Sequence, residues 1–91
     1  MRLDVAVDDD VTAIVRSTEG DSIVVVIAPG RDPLALALAR AAIEPLAIER
    51  APGGRLNAVQ PSVDADPAHV SAAVAFLERA PSTTGQIVEI S

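Results

Sequence analysis

The stretch SIVVVIA, residues 22–28, decides the fold class of this chain. Its apolar residues, most of them β-branched, follow one another without alternation, so a strand here would be apolar on both sides. This pattern is typical of a central strand in a parallel sheet that is covered on both faces. The stretch therefore predicts an α/β protein in which residues 22–28 lie inside the sheet.

Strand and helix patterns alternate around this stretch. Leu3, Val5 and Val7 alternate with other residues, which predicts a half-buried edge strand. Further strands are predicted over residues 55–59 and 86–90. With the helices below, the order βαβαβαβ predicts a small Rossmann-like sheet of four parallel strands with three helices, in one domain over residues 1–91.

Three aspartates mark the predicted helix starts. Asp10 is placed to cap a short helix over residues 11–18, whereas Asp32 and Asp66 are each followed by a proline suited to the first helical turn. The longer helices are predicted over residues 34–50 and 68–79.

Pro45 leaves two interpretations of the middle of the chain. Proline lacks an N–H and clashes with the preceding turn, so Pro45 is expected to kink or interrupt the helix over residues 34–50. Alternatively the helix ends there, and residues 46–59, LAIERAPGGRLNAV, form a β-hairpin. The helix is favoured, because hairpin loops of this length are less common than two-residue turns.

Charge and aromatic content argue against several classes of partner. The net charge is −6, all seven basic residues are arginine, and Phe76 is the only aromatic residue. An acidic chain without aromatic stacking platforms is poorly suited to nucleic acid or to an anionic membrane, so we expect neither as a partner.

Composition also bears on location. Cysteine is absent, which excludes disulfides and thiolate metal sites. No segment approaches the roughly 18 consecutive apolar residues of a membrane-spanning helix. The stretch MRLDVAVDDD holds four acidic residues, unlike a secretory signal peptide, and a cytoplasmic location is expected.

Two longer stretches carry a family resemblance. LARAAIEPLAIERAPGGRLNAVQPS, residues 38–62, is similar to K-A-x-L…L-A-x-E-x-A-P-x-G-I-R-V-N-A-V-x-P-G. DPAHVSAAVAFLERAPSTTGQIVEI, residues 66–90, is similar to D-P-x-x-V-A-x-A-V-x-F-L…x-T-G-Q-x-x-x-V. In this order, over about 50 residues, they resemble the C-terminal half of the short-chain dehydrogenase/reductase (SDR) family. The resemblance implies a single truncated SDR-like domain of Rossmann type.

The chain departs from the family at the nucleotide site. The family's T-G-x-x-x-G-x-G turn uses glycines to bring the backbone close to a pyrophosphate. The five glycines here lack that spacing: Gly20, Gly30, Gly53, Gly54 and Gly85. NAD(P) is therefore not expected to bind the isolated chain, and no cofactor is predicted.

The catalytic positions depart as well. The resemblance places the family's serine at Ala28, its tyrosine at Leu36 and its lysine at Arg40, and the chain contains no Tyr or Lys at all. Arginine does not exchange a proton near neutral pH, so SDR-type hydride transfer by this chain alone is excluded and no catalytic residue is predicted.

A few other residues are candidates for a ligand or metal site. Arg31 follows the central strand at the sheet edge where ligands usually bind, so it has the best claim to contact an anion, although a loop charge is the plainer interpretation. Ser62, where the family has glycine, and Asp64 follow the next strand. The run Asp8–Asp10 suits helix capping better than a cation, and His69 has no partner in the sequence, so no metal site is predicted.

The predicted topology makes association the leading hypothesis. Four strands in sequential order, joined by right-handed crossovers, would place all three helices on one face and leave the other uncovered. The segment LALALA, residues 34–39, is also apolar nearly all round its helix. We therefore expect an oligomer or a tight complex.

Two functions follow as hypotheses. The first is a non-catalytic SDR-like module, a pseudoenzyme that acts as a homo-oligomer or as partner subunit of a full-length SDR-type reductase. The alternative is a minimal enzyme or nucleotide- or small-ligand-binding protein, with a site between subunits around Arg31, Ser62 and Asp64.

Overall fold

The computed structural model describes residues 1–91. Along the chain the elements are β1 (Arg2–Val5), α1 (Val11–Arg16), β2 (Ser22–Ile27), α2 (Pro33–Arg50), β3 (Arg55–Pro61), α3 (Pro67–Arg79) and β4 (Ile87–Ile90). All neighbouring strands are parallel and the sheet order is β1-β2-β3-β4. The predicted α/β, Rossmann-like sheet of four strands with three helices is therefore confirmed.

β2 is the central strand that its sequence predicts. It pairs with β1 on one side and with β3 on the other. Residues 23–27 are at most 5% exposed, because helices pack on both faces of the strand. β1 is an edge strand, as predicted, although it ends at Val5 rather than reaching Val7.

The three aspartates cap the helices as predicted. Asp10 accepts a hydrogen bond from the N–H of Ala13 at 3.1 Å, and Asp32 accepts one from Ala35 at 2.8 Å. Asp66 accepts from the N–H of Ala68 at 2.8 Å. Each carboxylate thereby satisfies a backbone donor that lacks a partner within its helix. None of the helices is long and apolar enough to cross a lipid bilayer.

Pro45 does not interrupt α2, which continues to Arg50 and excludes the hairpin over residues 46–59. Pro45 itself is exposed, whereas the following Leu46 and Ala47 are at most 4% exposed. Burial of these two side chains against the sheet compensates for the hydrogen bond that proline cannot donate.

α3 lies on the opposite face of the sheet from α1 and α2, so the expectation that all three helices share one face is wrong. One aliphatic cluster joins α1 and α2 to the sheet. A second lies under α3 and consists of Val24, Val26, Val59, Val70, Val74 and Leu77. Because the strand order advances in one direction throughout, the β3–α3–β4 connection has the opposite hand to the first two.

α3 packs on the opposite face because β2 and β3 are apolar on that face as well. Val24, Val26 and Val59 point away from α1 and α2, and a third helix on the common face would have left them exposed. Packing α3 over them buries all three to 5% exposure or less. The sheet therefore needs no partner to cover that face.

Candidate functional site

Arg31 joins the end of β2 to the loop that follows β1. Its Nη2 donates to the carbonyl oxygens of Ala6 and Asp9, both at 2.9 Å. Asp9 closes the same loop by accepting a hydrogen bond from the N–H of Ala6 at 2.8 Å. Two backbone carbonyls thus hold one end of the guanidinium, so Arg31 stabilises the loop that follows β1.

A cavity of about 300 Å³ opens beside Arg31, between the start of α1 and α2. Its polar lining includes Asp9, Asp10 and Thr12, and α2 contributes Leu38 and three alanines. The Nε of Arg31 is buried and makes no hydrogen bond. Two carboxylates line the cavity beside Arg31, of which Asp10 already caps α1.

Ser62 and Asp64 lie at the end of β3, away from that cavity. The N–H of Ser62 donates to the carbonyl of Ile90 at 2.8 Å, and its own carbonyl accepts from Ala65 at 3.1 Å. Ser62 lines a depression of about 190 Å³ beside the end of β4. Asp64 is exposed and lines neither space. Within one chain, Arg31 and Ser62 thus face separate spaces.

The positions at which the family resemblance places the catalytic residues hold side chains without acid–base chemistry. Leu36 is half-buried against the α1–α2 side of the core. Arg40 donates to the side-chain oxygen of Gln60 and lies 3.7 Å from the carboxylate of Glu89. Ala28 contributes only its backbone N–H, which donates to Val5 at 3.2 Å. None of these side chains exchanges a proton near neutral pH.

The acidic run and the histidine lie apart from any metal-binding arrangement. Asp9 and Asp10 accept backbone hydrogen bonds, and His69 is exposed in the first turn of α3. The structure brings together no three His, Cys, Asp or Glu side chains that could hold a metal ion.

Asn57 is the one buried polar residue, with 0% exposure. Its Nδ2 donates to the carbonyl of Thr83 at 2.9 Å, and its Oδ1 accepts from the N–H of Gln86 at 3.0 Å. Gly85, between them, has a φ of 75°, in the region that favours glycine. Asn57 therefore fixes the turn that leads into β4, a role for which only its place in the RLNAV motif gave a signal.

An exposed apolar stripe runs along the outer side of α2. It consists of Leu34, Leu38, Ala41, Pro45 and Ile48, hereafter the α2 stripe. Leu34, Leu38 and Ile48 expose 70%, 63% and 67% of their surface. Sequence reasoning found the apolar character of this helix but not the stripe, which its residue spacing could have indicated.

A smaller apolar surface lies on α3. Phe76 is 67% exposed and lines a shallow depression with Ala72, Ala75, Arg79 and Ala80. It lies on the other side of the sheet from the α2 stripe, because α2 and α3 cover opposite faces. The chain thus presents two separate apolar surfaces to solvent.

A comparison with protein families agrees with this arrangement. The family model described as SDR-like, short chain dehydrogenase-like protein, matches residues 4–90. No curated protein and no solved structure gives a significant match. The family match extends across all four strands and all three helices. The chain therefore belongs to the SDR-like family of short chain dehydrogenase-like proteins.

Proposed function

We propose that this chain is a non-catalytic SDR-like module that acts through protein–protein contacts in the cytoplasm. It associates with itself, or serves as a partner subunit of a full-length SDR-type reductase. The observation that carries the proposal is the α2 stripe, where three large aliphatic side chains are each at least 63% exposed. Apolar surface concentrated in this way is a common feature of interaction sites.

The chemistry of the chain supports the same proposal. A family-type proton donor needs a side chain that titrates or is activated near the substrate, and the matching positions hold Leu36 and Arg40. Arg40 is also engaged with Gln60 and Glu89. The packing of the chain is nonetheless complete in its buried strands, its helix caps and the Asn57 turn.

A second candidate function rests on the cavity beside Arg31. Its volume of about 300 Å³ is at the lower end of the range for small-ligand sites, and the positively charged Arg31 lines it. Asp9 and Asp10 line the same space, however, and would repel the phosphates of a nucleotide. The protein-contact function is therefore preferred.

Light scattering coupled to size-exclusion chromatography tests the proposed function. The purified chain, alone and mixed with a full-length SDR-type reductase, is expected to have a mass above its own 9.3 kDa in at least one case. A folded monomer under both conditions would overturn the proposal.

Calorimetric titration with nicotinamide and adenine nucleotides separates the two candidate functions. We expect no binding heat from the isolated chain. Binding that Arg31→Ala abolishes and Arg79→Ala leaves intact would favour the second candidate, because Arg79 is an exposed arginine outside the Arg31 cavity.

A further inference from the structure

The cavity beside Arg31 is lined by charges of both signs that do not pair with one another. Asp9 and Asp10 line it from the start of α1, and Arg31 lines it from the loop after β2. None of these three side chains takes part in an ion pair within the chain. The fold therefore leaves opposite charges unneutralised around one small space.

Hydrogen bonds to the backbone keep these charges apart. Arg31 uses its Nη2 for the carbonyl oxygens of Ala6 and Asp9. The Oδ2 of Asp9 accepts from the N–H of Ala6, and the Oδ1 of Asp10 accepts from the N–H of Ala13. Each carboxylate thus retains one oxygen without a hydrogen-bond partner in the chain, and the Nη1 amino group of Arg31 has none either.

The wall of the cavity that α2 supplies is apolar. Ala35, Ala39 and Ala42 line it together with Leu38. The three alanines are separated by four and three positions, so they lie on one side of the helix. Because their side chains are single methyl groups, they leave room that larger residues would fill. The cavity therefore combines an aliphatic wall with separated positive and negative groups.

This combination selects one class of small ligand. An ammonium group would donate to the free oxygens of Asp9 and Asp10, and a carboxylate would accept from the Nη1 of Arg31. Both contacts are charge-assisted hydrogen bonds, which are stronger than neutral ones. A short aliphatic body between or beside the two groups would lie against the alanines of α2. A nucleotide would instead bring its phosphates toward the two carboxylates.

We propose that the cavity beside Arg31 binds a free amino acid with an aliphatic side chain. Its ammonium group faces Asp9 and Asp10, its carboxylate faces Arg31, and its side chain contacts α2. The volume of about 300 Å³ suits a ligand of this size. This inference goes beyond the protein-contact function and does not depend on it, because every residue of the site belongs to one chain.

Three ligands that differ by one charged group test the proposal. L-leucine carries both charges, 3-methylbutylamine lacks the carboxylate, and 4-methylpentanoate lacks the ammonium group. In titrations followed by amide nuclear magnetic resonance, we expect L-leucine to cause saturable shifts over residues 9–12 and 35–42. Each analogue is expected to bind about tenfold more weakly or worse, because it loses one charge-assisted contact. No saturable shift with L-leucine, or equal binding of either analogue, would overturn the proposal.

Matched substitutions test the carboxylate side. Asp9→Asn keeps an oxygen that accepts from the N–H of Ala6 but removes the charge. Asp8→Asn is the control, because Asp8 is an exposed neighbour that does not line the cavity. We expect Asp9→Asn to weaken L-leucine binding by about tenfold and Asp8→Asn to leave it nearly unchanged. Equal effects of the two variants would show that only the general negative charge of the loop matters, which would overturn the site.

A second pair of variants tests the apolar wall. Ala35→Leu fills the cavity from α2, whereas Ala37→Leu places the same side chain at an exposed position of α2 outside it. Circular dichroism verifies that both variants fold. Ala35→Leu is expected to abolish the shifts caused by L-leucine, and Ala37→Leu to preserve them. L-leucine binding that survives Ala35→Leu would place the ligand elsewhere and contradict the proposal.

Discussion

The side-chain amide of Asn57 donates to the carbonyl oxygen of Thr83 at 2.9 Å from a fully buried position in β3. The oxygen of the same amide accepts from Gln86, so both ends of one side chain hold the turn before β4. Since β4 is a short edge strand paired only with β3, this contact fixes the edge of the sheet.

Asn57→Ala is predicted to destabilise the fold by about 1–3 kcal/mol, because it removes a fully buried side chain and leaves the carbonyl of Thr83 and the N–H of Gln86 without their partners. Urea unfolding followed by far-ultraviolet circular dichroism measures the loss. Gln60→Ala, on the same strand but partly exposed, is the control and is expected to cost less than about 1 kcal/mol. Equal costs for the two variants would contradict the role assigned to Asn57.

Arg31→Ala is predicted to loosen the loop after β1. The guanidinium is held by the carbonyls of Ala6 and Asp9, and its removal takes away both hydrogen bonds. Amide hydrogen exchange over residues 6–9 is expected to accelerate by roughly tenfold, with little change in the central strands. Arg79→Ala is the control; a loop equally protected in both variants would show that Arg31 does not hold it.

The exposed pair of Arg16 and Glu49 gives a prediction about titration. The hydrogen bond from Arg16, 2.6 Å at its shorter contact, lowers the pKa of Glu49 below its ordinary value, and the opposite charge acts in the same direction. Because the pKa of Glu49 is lower in the folded state than in the unfolded state, the pair contributes to folding stability above the unfolded-state pKa. This contribution is lost as the pH falls through the folded-state pKa.

Arg16→Gln is therefore predicted to raise the pKa of Glu49 toward its ordinary value. Carboxyl carbon shifts, followed by nuclear magnetic resonance during an acid titration, report that residue directly. Arg2→Gln is the matched control, because Arg2 pairs with Asp4 instead. Identical Glu49 titration in the two variants would contradict the pairing.

The central elements of the fold follow from local sequence. The unbroken apolar run in β2 predicts a central strand, and Asp32–Pro33 and Asp66–Pro67 predict two helix starts. These features depend on residues that are close in the chain. For the same reason, the resemblance to the SDR family could be recognised from contiguous motifs.

The face on which α3 packs could not be predicted in this way. That face depends on the hand of the β3–α3–β4 connection. Parallel crossovers are right-handed in general, which would have placed α3 on the same face as α1 and α2. Val24 and Val26 indicated the opposite placement, because they make the second face of the sheet apolar and a helix must cover it. The continuity of α2 through Pro45 also depends on tertiary burial, here of Leu46 and Ala47.

The strand pattern places the candidate residues along the chain but not the spaces that they line. Arg31, Ser62 and Asp64 do lie after the strands from which they were inferred, yet Arg31 and Ser62 face different cavities. Whether two neighbouring elements share one cavity depends on loop paths that local patterns do not encode. The α2 stripe was not identified from the sequence because alanine and leucine occur nearly all round the helix. The burial of each residue in the structure distinguishes the side that packs on the sheet from the side that is exposed.

Self-association through the α2 stripe is measured directly by the molar mass of the unmodified chain, determined by light scattering across a dilution series. We expect a folded species whose mass rises well above 9.3 kDa as the concentration increases and falls toward 9.3 kDa on dilution. A folded chain that stays at 9.3 kDa at every concentration would contradict self-association through the α2 stripe.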